Sequence, residues 1–272
     1  MSWIITGTEK NKGLLDEFSG AAAAYSLRDL SVRRNAPVVR VRRSSDNAEQ
    51  DFTATQITDG TLAAFCGAGD GFVRTWYDQS GNNRHAQQTT TSLQPTIVSS
   101  GSLLLDGGKP SISHSGIKWM STAWGLLTGA VPQTIIGVYG KGTDDSDYIS
   151  WGASTVSGLA GLGITGANKF RATLAQDINT NVNASAAKAV AINTFNGTFA
   201  AGNSKLWVNG SLFEAAAGSQ QSTTSTDLYI GIRSNLSVRA TGISQEYIIY
   251  PLDLTVYVAG IEANINAHYG IF

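Results

Sequence analysis

Cysteine is almost missing. Cys66 stands alone, which excludes an internal disulfide and any cysteine-based metal centre. Histidine is nearly as scarce: His85, His114 and His268 are scattered with no ligand spacing such as i, i+4, so no zinc site is expected. Charge is thin, at 14% of residues, against about 25% in an ordinary soluble domain. Nineteen basic and twenty acidic side chains leave a net charge of −1, a balance that supplies no field toward nucleic acid or an anionic membrane. No apolar run reaches the roughly 18 residues of a membrane-spanning helix. Met1–Gly7 lacks the basic and apolar regions of a secretory signal. Nucleotide-binding loops and the Gly-x-Ser-x-Gly elbow of serine hydrolases are absent as well. The expectation is a soluble protein, made in a cytoplasm, with no cofactor and no resident metal.

What fills the chain is glycine, serine, threonine, asparagine and alanine, a mix suited to many short strands joined by tight turns. After Pro37 the hydrophobic period falls to two. Val38–Arg43, Phe72–Tyr77, Gln133–Tyr139, Lys169–Leu174, Ala187–Thr194, Leu206–Val208, Leu228–Ile232 and Gln245–Tyr250 read as strands. Asn209-Gly210, between two apolar runs, is the clearest hairpin turn. Helical expectations are few: one over Ala21–Leu30 capped by Asp16, one over Thr61–Phe65, and a last one over Val256–His268 with Val258, Ile261 and Ile265 on one face. The fold class that follows is all-β, a single sandwich over residues 21–272 preceded by an arm over residues 1–20.

Several clusters invite chemistry, and most have a plainer reading. Alternation in Val38–Arg42 puts Arg40 and Arg42 on one strand face, read as solvated. Asp144-Asp145-Ser146-Asp147 offers oxygens that calcium accepts, yet lacks the length and terminal glutamate of a calcium loop, so a solvated hairpin loop is preferred. Asp78, with Asn82, Asn83 and His85, suits the orientation of sugar hydroxyls. The competing reading is that Asp78 and Ser80 only hold their own turn. Trp76, Trp151 and Trp207 lie in strand contexts and read as core. Trp119 and Trp124, near a loop, suit either packing or stacking on a sugar ring or a neighbouring subunit.

Three stretches carry a resemblance. Tyr25-Ser26-Leu27-Arg28, then Val39–Asn47, then Trp76-Tyr77-Asp78-Gln79-Ser80-Gly81-Asn82-Asn83-Arg84-His85 resemble the opening of the catalytic domain of family 54 α-L-arabinofuranosidases. Further on the likeness is confined to Gly231-Ile232 and the strand ending at Tyr250-Pro251. The C-terminal Ile261–Ile271 is similar to the ends of concanavalin-like proteins encoded by tailed phages and their hosts. The resemblance implies a concanavalin-like jelly-roll β-sandwich able to hold a sugar on one face. It also implies an acid/base aspartate after a Gly-Ile-Gly-Gly turn. Here the turn reads Gly231-Ile232-Arg233-Ser234-Asn235, so an amide occupies that place, and an amide delivers no proton. Asp177 is the nearest counterpart of the nucleophile, and the family's adjacent cysteine pair has none.

Two expectations follow. The first is a non-catalytic structural or adhesive component of a tailed-phage virion. It attaches to other virion proteins through the arm, assembles as a homo-oligomer, and contacts a host-cell glycan through Asp78, Asn82, Asn83, His85, Asp177 and Asn235. The second is a retaining glycoside hydrolase acting on arabinose-containing polysaccharide, with Asp177 as nucleophile and Glu246 as acid/base.

Overall fold

The computed structural model describes residues 12–142, 145–152, 159–174, 177–183, 187–198, 200–216, 227–234 and 236–272. Its strands form two antiparallel layers. In the back layer Gln133–Gly140 lies between Ile243–Tyr250 and Lys188–Phe195. Ala23–Ser26 and Ile112–Ser113 flank the first of these. Ala201–Val208 and Ser211–Ala216 extend the layer beyond the second.

The front layer runs from Glu49–Phe52 through Val39–Arg43, Gly71–Trp76, Ala86–Gln87, Met120–Ala123 and Asp227–Ile230 to Ser146–Gly152. Leu159–Ile164, Lys169–Leu174 and Asp177–Asn183 complete it. The layers meet along one margin, where Thr96–Ser99 pairs with Gly71–Trp76 on one side and Ser113 on the other. The molecule is an all-β sandwich.

Period-two patterning decides what fills it. Ile135, Tyr139, Ala191, Tyr247 and Ile249 point from the back layer into the gap. Val41, Val73, Trp76, Ile149, Trp151, Leu162, Phe170 and Leu228 meet them from the front. The intervening positions Ile136, Val138, Val190, Ile192 and Ile248 face the other way, so the back layer needs a second cover. Helix α4 (Val258–Tyr269) provides it with Val258, Ile261, Ile265 and Tyr269. Each such side chain contributes on the order of 1.5–3 kcal/mol by leaving water. Three shorter helices, α1 (Leu14–Glu17), α2 (Ala54–Thr58) and α3 (Thr61–Cys66), lie in the N-terminal quarter.

The expected helix over Ala21–Leu30 is instead a strand. Ala23, Ala24, Tyr25 and Ser26 pair with Ile249, Ile248, Tyr247 and Glu246. Ala23 and Tyr25 enter the central core while Ala24 faces α4. Alanine's helix preference is worth tenths of a kilocalorie per residue, and burial of Tyr25 outweighs it. Asp16 caps no long helix; its carboxylate accepts hydrogen bonds from the Gly13 and Val32 amides and the Ser31 hydroxyl. Residues 12–20 of the arm lie against the sandwich, with Leu14 fully buried among the residues that contact α4; residues 1–11 lie outside the described residues.

A second correction concerns Arg42. The register shifts between Arg40 and Val41, and Thr91–Gln94 folds over the strand. Arg42 is buried beneath it, bonded to Gln94 Oε1 and Asn47 Oδ1 at 2.7 Å each, with its guanidinium 4.7 Å from the Phe72 ring centre. Arg40 stays partly exposed and pairs with Asp51.

The hairpin turn is as expected: Asn209 and Gly210 both take positive φ, 49° and 78°, and Val208 pairs with Ser211. Gly231 has φ 87°, and a Cβ there would fall 2.4 Å from His114 Nδ1. Gly231→Ala is therefore expected to destabilise by about 2 kcal/mol or more, read from a chemical unfolding curve.

Candidate functional site

The segment Tyr77–His85 is where sequence placed a sugar contact. Asp78 Oδ1 accepts from the Ala24 amide (2.8 Å) and the Ser80 amide (2.9 Å). Oδ2 accepts from the Ser80 hydroxyl (2.8 Å) and the Arg84 amide (3.0 Å). The carboxylate is buried and spent on its own turn. Asn82 donates to the carbonyls of Ala21 and Ala22. The Asp78 carboxylate and Ser80 therefore hold this turn, as the plainer reading has it. Asp78→Ala is expected to cost about 3 kcal/mol, measured by denaturant unfolding, because buried donors lose their acceptor.

Asn83 and His85 do something else. They line a cleft of about 430 Å³ on the outer face of the front layer, together with Gln88, Thr89 and Trp119. Gln87, Ser121 and Asp227 line it as well. Gln87 lies opposite Ser121, which lies opposite Tyr229; residues directly opposite in an antiparallel ladder share a face. The Trp119 and Tyr229 rings sit 5.8 Å apart, tilted at 49°. Trp119 is held by its amide on the Leu93 carbonyl and by Gln88 Nε2 on its own carbonyl. Desolvation lowers the pKa of His85, with Arg34 adding to it and Asp78 opposing, so the ring is neutral at pH 7 and its Nδ1 accepts from the Asp78 amide. A half-buried indole beside amides, hydroxyls and one carboxylate gives a flat apolar surface edged by donors and acceptors.

The row continues across the layer from Tyr229 to Ser150, Gly161 and Thr173, and ends at Asp177. Asp177 thus occupies a register position on the same face; its side chain lies outside the described residues, as does all of Asn235.

The acidic loop behaves unlike either sequence reading. Asp147 is buried in the strand Ser146–Gly152, its Oδ1 2.6 Å from Arg171 Nη2 and its Oδ2 2.5 Å from Arg233 Nε. Arg171 also binds the exposed Asp145 at 2.7 Å; Asp144 lies outside the described residues. Arg233, from the turn that resembles the acid/base motif, thus neutralises an aspartate. Both oxygens of Asp147 are thus committed to charge-assisted hydrogen bonds.

Glu246 fails as an acid/base for a similar reason. It is fully buried, with Arg28 Nε 2.8 Å from one oxygen and Arg28 Nη2 3.0 Å from the other; Ser26 and Tyr269 hydroxyls donate as well. Burial alone would raise its pKa, but the Arg28 charge and these bonds outweigh burial and lower it. The group stays ionised, and it lines none of the surface cavities described here. Trp76 and Trp151 are core, as expected. Trp124 is buried too, and Trp207 packs half-buried against the residues under α4.

Sequence reasoning missed Gln87, Gln88, Ser121 and Tyr229, whose only signal is strand alternation around Trp119. No family model and no curated protein matches the sequence. Solved structures do match. A mutant glycoside hydrolase family 54 α-L-arabinofuranosidase soaked with 4-nitrophenyl α-L-arabinofuranoside aligns at TM-score 0.70 and 16% identity. The family 54 enzyme soaked with a cyclic sulfate inhibitor aligns at 0.68 and 18%, and an arabinofuranosidase complexed with arabinofuranosyl-α-1,2-xylobiose at 0.68 and 17%. In each case 91% of this chain and 62% of the other is covered, so the chain spans less than two thirds of these neighbours. At such identity the likeness is one of fold: the chain is a β-sandwich built like that of the family 54 α-L-arabinofuranosidases.

Proposed function

We propose that this protein is a non-hydrolytic glycan-binding sandwich whose sugar lies in the front-layer cleft against Trp119, whose ring the Tyr229 ring supports. The observation that carries the reading is the cleft itself, a half-buried indole flanked by Asn83, Gln87, Ser121, Thr122 and Asp227. A pyranose or furanose ring offers an apolar face to the indole and a rim of hydroxyls to the amides and the carboxylate. Retaining hydrolysis needs two carboxyl groups roughly 5 Å apart, one of them able to give a proton. Asp147 is paired with two arginines and Glu246 is held ionised by Arg28, which supports binding without cleavage.

The setting we propose is a tailed-phage particle, with the domain as an adhesive component repeated in a homo-oligomer. Support comes from the C-terminal resemblance in Ile261–Ile271, and from Leu252, Val256 and Tyr257, apolar side chains exposed close together before α4. Light scattering is expected to give a mass above one chain. A glycan array is the test of binding. Sugar ligands are expected to bind, and Asn83→Ala or Gln87→Ala to weaken them about threefold to tenfold, as for one lost hydrogen bond. An array without ligands would remove the reading.

The rival is a family 54-like hydrolase using Asp177. Its support is the fold likeness and the register of Asp177 on the cleft face.

A further inference from the structure

A second concavity lies away from the cleft and shares no residue with it. Two lobes, of about 430 Å³ and about 340 Å³, meet at Arg28, Asp29 and His268, between the end of the strand Ala23–Ser26, α2 and α4. Lys109, Thr55 and Thr58 edge the larger lobe; Lys12 and Asn264 edge the smaller.

The polar heads here differ in how the protein uses them. Arg28 is engaged on all three nitrogens, with Glu246 on two and Asn264 Oδ1 on the third. Lys109 is half-buried, yet it has no acidic partner among the described residues. The His268 ring, half-buried at the C-terminal end of α4, meets Tyr269 edge-on and has no hydrogen-bond partner among the described residues. Lys109 and His268 line the same lobe and lie within electrostatic reach of each other. Burial lowers the pKa of His268 to about 4, with Arg28, Lys109 and Lys188 pushing the same way against Glu246, so the imidazole is neutral with one N–H to donate. A half-buried lysine with no acidic partner among the described residues and a ring N–H with no acceptor among them line one lobe of ligand size, and both are donors that an anion accepts from. Asp29 and the Thr55 hydroxyl on the rim supply acceptors for hydroxyl groups next to that anion.

We propose that this groove is a second ligand site, for a small hydroxyl-bearing anion such as a sugar acid or sugar phosphate. Its anionic group sits against Lys109 and His268, with its hydroxyls toward Asp29 and Thr55. The site stands independently of the glycan cleft.

Calorimetric titration with ribose 5-phosphate, glucuronate, free ribose and inorganic phosphate tests it, with the histidine ring ¹⁵N signals followed in parallel. One of the two sugar anions is expected to bind more tightly than free ribose or inorganic phosphate and to shift the His268 ring signals. Which anion wins distinguishes phosphate from carboxylate. Lys109→Ala is expected to weaken that binding about tenfold or more, with unchanged glycan binding at Trp119 and an unchanged melting temperature showing that the fold survives. Binding by neither sugar anion at millimolar concentration, binding that Lys109→Ala leaves intact, or free ribose or inorganic phosphate binding as tightly as the sugar anion would each overturn the proposal.

Discussion

Trp119→Ala is expected to weaken glycan binding by on the order of tenfold to a hundredfold while changing stability little. The indole is half-buried and rests on the Tyr229 ring, 5.8 Å away, and the strand beneath it keeps its pairing through backbone atoms. Alanine removes the flat apolar surface and leaves the amide and carboxylate groups of Asn83, Gln87 and Asp227 in place. Trp119→Phe restores part of the stacking area and is expected to recover part of the affinity. Titration followed by intrinsic fluorescence or calorimetry reads both. Equal affinity in wild type and Trp119→Ala would move the sugar elsewhere.

Removal of one partner from the Arg28–Glu246 pair is expected to be the most damaging single change among these predictions. Glu246 is fully buried, and Arg28 is the cation that compensates it. Arg28→Ala leaves a carboxylate with two hydroxyl donors and no counter-charge, at a cost of about 3–5 kcal/mol. At roughly 2–4 °C per kcal/mol for a chain near this size, the melting temperature falls by about 6–20 °C. Replacing both partners with apolar residues of similar volume is expected to cost less than Arg28→Ala alone, because no buried charge is stranded.

The pH dependence follows from the same pair. The folded-state pKa of Glu246 lies below its unfolded value, so the unfolded state takes up the proton first. Its contribution is complete above the unfolded pKa near 4.5 and disappears as pH falls through the lower folded value. The drop in stability below pH 4.5 is expected to be shallower in the doubly apolar variant. A melting curve against pH that is identical in both proteins would contradict this assignment.

Much of the sandwich was legible because its strands alternate. Gln133–Gly140, Lys169–Leu174 and Lys188–Phe195 announce themselves by β-branched and aromatic residues at period two, and α4 by Val258, Ile261 and Ile265. The run Ala21–Ala24 misled, since alanine prefers helix locally while tertiary pairing with Ile243–Tyr250 decides its state. Ser146–Gly152 and Leu159–Ile164 give a weaker signal because each carries a single β-branched residue and is rich in glycine or serine. The site was legible in part. Asn83 and His85 sit close to a conspicuous turn, whereas Gln87, Ser121 and Tyr229 meet only through pairing of strands distant in sequence. The roles of Asp78, Asp147 and Glu246 depended on partners such as Ala24, Arg171 and Arg28, and neither composition nor spacing reveals who faces whom.

One measurement bears most directly on the claim that this face grips sugar without cutting it: the rate of 4-nitrophenol release from 4-nitrophenyl α-L-arabinofuranoside at saturating protein. The account predicts a rate indistinguishable from buffer, for the intact chain and for Asp177→Ala alike. Turnover by the intact chain that disappears in Asp177→Ala would contradict it and make this protein a hydrolase.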